Sequence, residues 1–475
     1  MGRKKQENRK DNKSLNNISY IFIGLFIILI FNIFKFVMFD SDNIAINSYN
    51  PRIEELEKNI IRGKILDANG NVLAETMVDK DKPYRIYPYE NIFCHVIGYS
   101  NLDKSGIEAL VNYDLLKSNV NIIEKTVQSI SKQKSVGDNV ITTLDADLQK
   151  KAYELLGNRK GAVVAVEPST GKILCMVSKP DYNPNYIESN YNDLRNDDAN
   201  SPLINRAVMG LYPPGSTFKI VTALAYIREN PNWKDFNYIC KGKDYFGQNT
   251  IHCYSNTWHG EENLEDAFKM SCNTAFANIG TSLDLVKYRD VANGLLFNSQ
   301  IPYRGCKKSS FGLDSQSSIE KVAETAIGQG ETLITPFHNA LITSAVANGG
   351  ILMKPYIIDH IENSKGKIIT KNLPEFYTEF MSVDEADTIK EFMEKVVSEG
   401  TGKTSAVQGI QVAGKTGSAE NEGEYPHAWY VGFAPSDNPQ IAVSVIVENS
   451  GTSTRYAAPI ARQLFELYIN KHKME

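Results

Sequence analysis

The sequence GLYPPGSTFK at residues 210–219 is the most informative stretch of the chain. It places Ser216 and Lys219 three positions apart, and residues at this spacing share one face of a helix. Pro214 and Gly215 suit the start of such a helix, so Ser216 is expected in its first turn. A serine hydroxyl becomes a good nucleophile when a base removes its proton, and a lysine is such a base when burial or a nearby cation lowers its pKa. Alone, the spacing also arises by chance, with the lysine as a solvated surface charge.

A second polar stretch is KMSCNTAF at residues 269–276, where Ser271 and Asn273 flank a cysteine. Residues two apart in an extended loop can point to the same side. The hydroxyl could relay a proton there, and the amide could orient both a lysine and a substrate. Taken by itself, the stretch is better explained as a helix N-cap, which serine and asparagine favour.

A third stretch, VAGKTGSAE at residues 412–420, contains Lys415 and Thr416, which could hold a carboxylate. Gly417 in an edge strand would let the backbone of a ligand approach closely. An ordinary turn containing glycine explains this stretch equally well when it is considered alone.

We call these three stretches the first, second and third motifs. Together, they closely resemble the class B penicillin-binding proteins, the monofunctional D,D-transpeptidases of bacterial cell-wall synthesis. Their order, spacing and flanking residues all match. The resemblance runs from about Arg62 to the C-terminus, and it includes RGKILDANGNVLA at 62–74, GQG at 328–330 and WYVGFA at 429–434. The short accessory segment is most similar to that of the smaller, A-type members, and a preceding glycosyltransferase domain is not expected.

We expect an α+β fold. Strand-like segments at 161–166 and 173–178 precede a helix-rich middle, and two more follow at 429–434 and 441–447. This pattern indicates an antiparallel sheet with helices packed on it. The resemblance implies the penicillin-binding/serine β-lactamase-like transpeptidase fold, in which helices cover both sides of the sheet.

The resemblance also implies a role for each motif residue. Ser216 would be the acylated nucleophile, Lys219 its base, and Ser271 the relay that passes the proton to the leaving amine. Asn273 would position the substrate and Lys219. The substrate-binding residues would be Lys415, which also tunes the local field, with Thr416, Gly417 and Ser418, and the oxyanion hole would consist of the backbone N–H groups of Ser216 and Ser418.

The implied activity is cross-linking of peptidoglycan stem peptides through a Ser216 acyl-enzyme, with release of D-alanine and with acylation by β-lactam antibiotics. A D,D-carboxypeptidase or β-lactamase, which uses water as acceptor, is one alternative, and a β-lactam-binding scaffold or sensor without turnover is another. The accessory module argues against a β-lactamase, and the three intact motifs argue against a pure scaffold. A class B enzyme is expected to need a membrane glycosyltransferase partner.

The N-terminus predicts a membrane anchor. Residues 1–17 are rich in lysine and arginine, whereas 18–39 are almost wholly apolar and long enough for about 33 Å of helix, against a bilayer core of about 30 Å. The basic side predicts a cytoplasmic N-terminus and an extracytoplasmic catalytic domain in the cell membrane. A cleaved signal peptide is the alternative. Residues 40–150 are expected to form a membrane-proximal accessory module and 151–475 the transpeptidase domain, and the net charge of -5 gives no reason to expect a nucleic-acid partner.

A second constellation consists of three cysteines and one histidine in the middle of the chain. Three thiolates and one imidazole are a normal ligand set for structural zinc. Some rod-shape members of the resembled class hold a zinc beside the active site with ligands at similar intervals, which makes a structural Zn²⁺ one hypothesis. The other hypotheses are a disulfide between Cys240 and Cys253, and free buried thiols. The candidate ligands are Cys240, Cys253, His259 and Cys272.

Overall fold

The computed structural model describes residues 2–35, 56–80, 82–120, 134–421 and 424–472. It begins with the helix Gly2–Lys35, of which Asn17–Lys35 is long and apolar enough to cross a membrane. The side chains of this segment make almost no contact with the rest of the protein, as expected of a lipid-facing helix. Of the predicted anchor, residues 36–39 lie outside the described residues, as does the spacer up to 55.

The larger part of the chain, from about residue 151, is built on one antiparallel sheet of five strands, here called the main sheet. Its strands, in spatial order, are Ala413–Asn421, Glu424–Ala434, Ile441–Val447, Gly161–Val166 and Ile173–Lys179. The last three strands are buried along their whole length, which explains why their sequences are mostly apolar. The strand Ala413–Asn421, which contains the third motif, forms one edge of the sheet.

Helices cover both faces of the main sheet, as the resemblance implies. Val163 and Ala165 pack in one hydrophobic cluster with the helices Ala146–Leu156 and Ala458–His472. The intervening Val164 points to the opposite face, into a larger cluster that includes the helix Pro336–Ala347. This alternation follows from the two-residue period of a strand. The expected α+β fold is confirmed.

A second sheet of six strands, here called the module sheet, joins the N-terminal region to a later segment. In spatial order its strands are Ile368–Lys371, Ile358–Glu362, Asn139–Thr142, Ile65–Leu66, Val72–Asp79 and Lys82–Ile86. Two of the six therefore come from residues that follow the second motif in the chain. The two strands on either side of Asn69-Gly70 form a hairpin, with Ile65 opposite Ala74 and Gly70 at φ +83°.

A buried ion cluster holds the module together. Glu108 is fully buried and lies between Arg62 and Arg85, whose nitrogen atoms are 2.6 and 2.7 Å from its two carboxylate oxygens. Burial alone would raise the pKa of Glu108, but the two guanidinium groups outweigh it and the pKa is lowered. Arg62 opens the segment that carries the resemblance, so its place in the sequence motif has a structural reason.

The remaining elements surround these two sheets. The other α-helices in the described chain are Cys94–Ile97, Gly106–Leu110, Asn112–Leu115, Ile187–Arg195, Arg206–Met209, Lys219–Glu229, Leu264–Lys269, Asn273–Ser282, Leu285–Gly294, Ile319–Ala326, Val383–Ser398 and Ser453–Tyr456. Short strand pairs are formed by Ile60–Ile61 with Ser135–Val136, Tyr238–Cys240 with Gly260–Glu262, Lys243–Phe246 with Asn249–His252, and Ile351–Met353 with Phe376–Glu379.

Candidate active site

The first motif lies where a short 3₁₀ turn, Gly215–Phe218, leads into the helix Lys219–Glu229. Ser216 is therefore in the first turn, as predicted, and it is partly buried. Gly215 has φ +54°, and a Cβ atom on it would lie 2.7 Å from the Ser418 carbonyl oxygen. Only a glycine permits this approach, so the residue before Ser216 brings the first motif against the third.

Lys219 is fully buried and faces the second motif. Its Nζ donates hydrogen bonds to the Ser271 carbonyl oxygen at 2.6 Å and to Asn273 Oδ1 at 2.8 Å, and it lies 3.3 Å from Ser271 Oγ. Burial lowers the pKa of Lys219 to about 8. Because the pKa is lowered, the neutral amine is accessible near physiological pH, which a general base requires. Within the described residues no hydrogen bond joins Lys219 to Ser216.

Ser271 occupies a left-handed backbone conformation, with φ +57°. Its N–H donates to the Phe268 carbonyl at 3.1 Å, and the turn directs Oγ toward both lysines. Lys415 Nζ is 2.8 Å from Ser271 Oγ, so this hydroxyl connects the two amines. The next polar residue, Asn273, begins the helix Asn273–Ser282, and its Nδ2 donates to the His252 carbonyl at 2.8 Å.

Lys415 is fully buried in the edge strand of the main sheet. Burial lowers its pKa well below the usual range, and the charge of Lys219 lowers it further. Its neighbour Thr416 hydrogen-bonds to Thr401 through the two hydroxyls at 2.6 Å. A Cβ on Gly417 would lie 3.0 Å from both Thr217 Cγ2 and Trp429 Cβ, so this position is also tightly enclosed.

The structure thus brings all three motifs together. Two lysine amines with lowered pKa values, a hydroxyl between them and an amide converge beside Ser216. Ser418 lies in the same edge strand, opposite Ala428, and its carbonyl is close to the backbone of the first motif. Such a set can accept a proton from one hydroxyl and return it to a leaving group.

Sequence reasoning missed several residues that support the motifs. Trp429 Nε1 donates to the Pro213 carbonyl at 3.0 Å, and Asn339 Nδ2 donates to Thr217 Oγ1 at 3.1 Å. These two bonds hold the chain on either side of Ser216. Trp429 stands in a segment singled out from the sequence, but Asn339 and Thr401 carry no local signal, since their partners are distant in the chain.

The four candidate metal ligands also converge, next to the second motif. Their ligand atoms all lie within 4.8 Å of one another and could hold a metal ion. Cys253 Sγ is 3.7 Å from both Cys240 Sγ and Cys272 Sγ, and His259 Nδ1 is 3.4 Å from Cys240 Sγ. All three thiols are free, which differs from the disulfide hypothesis. Cys272 caps the helix that Asn273 begins, so this cluster and the second motif share a backbone.

Comparison with known proteins identifies the family. Residues 161–466 match the model of the penicillin binding protein transpeptidase domain, and residues 62–140 match that of the penicillin binding protein A dimerisation domain. The chain belongs to the penicillin-binding protein transpeptidase family. Its three motifs lie within the first of these matches.

Among its relatives is the peptidoglycan D,D-transpeptidase PbpA of Mycobacterium tuberculosis, which is 31% identical over 96% of this chain and 98% of the relative. The D,D-transpeptidase domain of a peptidoglycan glycosyltransferase from Eggerthella lenta superposes with a TM-score of 0.80 at 29% identity, over 88% of this chain and all of that one. Penicillin-binding protein A of M. tuberculosis, in an imipenem acyl-enzyme complex, gives a TM-score of 0.80 at 30% identity over 87% and 99% of the two chains.

Proposed function

We propose that the protein is a peptidoglycan D,D-transpeptidase that cross-links stem peptides through an acyl-enzyme on Ser216 and that is acylated by β-lactams. The observation that carries this proposal is the convergence of Lys219, Ser271, Asn273 and Lys415 beside the first turn that contains Ser216. Relatives that are about 30% identical to this protein over nearly the whole chain are named peptidoglycan D,D-transpeptidases, which supports the same reaction.

In acylation, Ser216 Oγ attacks the carbonyl carbon of the penultimate D-alanine while neutral Lys219 takes the hydroxyl proton. The tetrahedral intermediate then collapses, and the C–N bond to the terminal D-alanine breaks. The leaving nitrogen receives a proton through Ser271 Oγ, which lies between the two lysine amines at 3.3 and 2.8 Å. D-alanine departs, and the carbonyl carbon remains bonded to Ser216.

In the second half, an amine of a neighbouring stem peptide attacks the ester carbonyl and loses a proton to the same base. Ser216 Oγ leaves, regains a proton and the enzyme is restored. The backbone N–H groups of Ser216 and Ser418 would stabilise the oxyanion in both halves, and one such donor is worth about 10²–10³ in rate. Thr416, Gly417 and Ser418 would hold the substrate along the edge strand of the main sheet, with Lys415 facing its carboxylate.

We further propose a structural Zn²⁺ at the cluster of Cys240, Cys253, His259 and Cys272. Zn–S bonds of about 2.3 Å in a tetrahedral site separate two sulfur atoms by about 3.8 Å. Cys253 Sγ lies 3.7 Å from both Cys240 Sγ and Cys272 Sγ, which fits. Such an ion would supply no acyl-transfer chemistry. These four residues would instead hold the loop that presents Ser271 and Asn273.

The predicted topology completes the proposal. Residues 1–17 would lie in the cytoplasm and the anchor within 18–39 in the membrane, with 40–150 as accessory module and 151–475 as the extracytoplasmic transpeptidase domain. A membrane glycosyltransferase would supply the glycan strands whose stem peptides are joined. No nucleic-acid partner is proposed.

The experiment is labelling of the full-length protein with a fluorescent penicillin, with Ser216→Ala beside the parent and Ser299→Ala as a matched control away from the motifs. Ser216→Ala is expected to abolish labelling and Ser299→Ala to preserve it. Equal labelling of Ser216→Ala would refute the nucleophile assignment.

A product assay with a donor pentapeptide and an amine acceptor distinguishes the alternatives. A cross-linked product is expected. Release of D-alanine with water as the only acceptor would favour a carboxypeptidase, and labelling without turnover of either kind would favour a sensor or scaffold.

A further inference from the structure

The chain that follows the helix Val383–Ser398 passes close to the second motif before it enters the third. A Cβ atom on Gly400 would lie 2.4 Å from the Lys269 carbonyl oxygen, and the Thr401 N–H donates a hydrogen bond to the same oxygen at 3.4 Å. Lys269 is two positions before Ser271. Residues 400 and 401 therefore lie against the turn that presents Ser271.

The end of the helix fixes the backbone on both sides of Thr401. The N–H of Gly400 donates to the Lys395 carbonyl at 3.0 Å, and the N–H of Gly402 donates to the Val396 carbonyl at 2.8 Å. Both neighbours of Thr401 are thus bound to the last turn of the helix. The side chain of Thr401 consequently starts from a well-defined backbone position.

The Thr401 side chain contacts the third motif. Its Oγ1 is 2.6 Å from Thr416 Oγ1, which is close for a hydrogen bond between two hydroxyls. Thr416 is buried and Thr401 is half-buried. Among the described residues, the structure gives neither hydroxyl a second hydrogen bond. This pair therefore has unused hydrogen-bonding capacity beside the proposed substrate site.

The direction of the hydrogen bond matters because a threonine hydroxyl has one hydrogen and two lone pairs. The geometry allows either oxygen to be the donor. If Thr416 donates to Thr401, its only hydrogen is already used. If Thr401 donates, Thr416 keeps its hydrogen for a ligand. Because a carboxylate can only accept, a carboxylate bound at Thr416 selects the second arrangement.

The neighbouring amine of Lys415 is already engaged within the protein. Its Nζ donates to Ser271 Oγ at 2.8 Å and to the Thr416 carbonyl oxygen at 3.2 Å. Burial and the charge of Lys219 lower the pKa of Lys415 well below the usual range, and a neutral amine carries only these two hydrogens. A hydroxyl donor beside it therefore gains weight in holding a carboxylate.

We propose that Thr401 is a positioning residue for the substrate carboxylate, which donates its hydrogen bond to Thr416 so that the Thr416 hydroxyl donates to the carboxylate. This inference rests on the proposed function, in which Thr416 binds the substrate. Consecutive hydrogen bonds polarise one another, so the bond from Thr401 strengthens the one that Thr416 makes to the charged group. Thr401 acts through Thr416 and does not itself touch the substrate.

The test compares two thioester donors that differ only at one end. One is an acyl-D-alanyl thioglycolate with a free carboxylate, and the other is its methyl ester. Thr401→Val, Thr401→Ala and Thr401→Ser are compared with the parent, all as full-length protein in detergent. Thr404→Val changes an exposed threonine of the next turn and is the matched control. The measurement is kcat/KM from the release of the thiol.

The loss is expected to depend on the carboxylate. A typical net hydrogen bond corresponds to about fivefold, so Thr401→Val and Thr401→Ala should lower kcat/KM for the carboxylate donor by about that factor. The ester is uncharged and a weaker acceptor, so its kcat/KM should change by less than about twofold. Thr401→Ser and Thr404→Val should keep the parent values with both donors. If the valine variant does not fold, the alanine and serine variants carry the same comparison.

A double-mutant cycle shows whether Thr401 acts through Thr416. In a Thr416→Val background, the added change Thr401→Val is expected to have no further effect on the carboxylate donor. A full fivefold loss in that background would overturn the proposal, because Thr401 would then act on the substrate directly. Equal losses with both donors would overturn it too, since they indicate a purely structural role, and so would unchanged values with both.

Labelling with fluorescent penicillin separates this inference from the proposed function. If the parent is labelled and releases thiol in a Ser216-dependent reaction while Thr401→Val is unimpaired, the role of Thr401 alone is rejected. If the parent shows no Ser216-dependent reaction with penicillin or with either donor, the proposed function fails, and this inference fails with it.

Discussion

The substitution Asn273→Asp tests whether Lys219 acts as the base. Asn273 Oδ1 accepts a hydrogen bond from Lys219 Nζ at 2.8 Å, so the substitution places a carboxylate directly against the amine. An opposite charge at this distance favours the protonated amine and therefore raises its pKa. A protonated lysine cannot remove the proton of Ser216.

The magnitude follows from the shift. The pKa of Lys219 is about 8, so about one tenth of the molecules carry the neutral amine at pH 7. A neighbouring carboxylate raises a pKa by about 1–3 units. Because the neutral fraction falls tenfold for each unit, acylation at pH 7 is expected to fall by about 10- to 1,000-fold and to recover as the pH rises above the new pKa.

The assay is the second-order rate constant of acylation by a chromogenic cephalosporin between pH 6 and 10. In the parent the rate should rise through an apparent pKa of about 8. Asn273→Ala is the control, because it removes both hydrogen bonds of the Asn273 side chain without adding charge, and it should slow the reaction without moving the midpoint upward. If the midpoint of Asn273→Asp coincides with that of Asn273→Ala, Lys219 is not the base that limits acylation.

Three further predictions concern the framework of the site. Gly215→Ala places a Cβ 2.7 Å from the Ser418 carbonyl at φ +54°, so it should slow acylation at least tenfold while circular dichroism shows a folded protein; an unchanged rate would contradict the close approach. Strong chelation should lower both the acylation rate and the thermal midpoint, with recovery on adding Zn²⁺, whereas Cys240→Ser should start low and not respond; elemental analysis that finds no zinc in the active parent would reject the metal. Glu108→Gln leaves two buried guanidinium groups without their counter-charge and should destabilise the protein by about 3–5 kcal/mol in denaturant unfolding, and a loss below about 1 kcal/mol would show that the module does not depend on this cluster.

The sequence predicts the three motifs well because their chemistry is local. Ser216 and Lys219 are neighbours on one helical turn, and Ser271 and Asn273 bracket one residue, so spacing alone places each pair. The face alternation of Val163 and Val164 is equally local, since it depends only on the period of a strand. In each case the relative placement depends only on residues a few positions apart.

Other features depend on contacts between distant segments and leave no such signal. The strand Ile358–Glu362 joins the module sheet beside Asn139–Thr142, more than two hundred residues earlier in the chain. The predicted boundary at residue 150 divides the chain into two continuous parts, the accessory module and the transpeptidase domain. The module sheet, however, contains strands from both parts. Thr401 likewise reaches Thr416 only because a turn after the helix Val383–Ser398 returns to the edge strand.

The second motif shows why the thiol cluster and the catalytic loop belong together. A non-glycine residue in the left-handed region costs about 1–2 kcal/mol, and Ser271 is held there with its hydroxyl between two amines whose pKa values are lowered. On one side the Cys272 N–H donates to the Ala267 carbonyl at 2.9 Å, and on the other the Cys272 thiol enters the cluster. Relaxation of Ser271 would require the backbone at Cys272 to rotate and its sulfur to leave the other ligands. A bound ion would therefore oppose that relaxation directly, and its loss should slow acylation even with Ser216 and Lys219 intact.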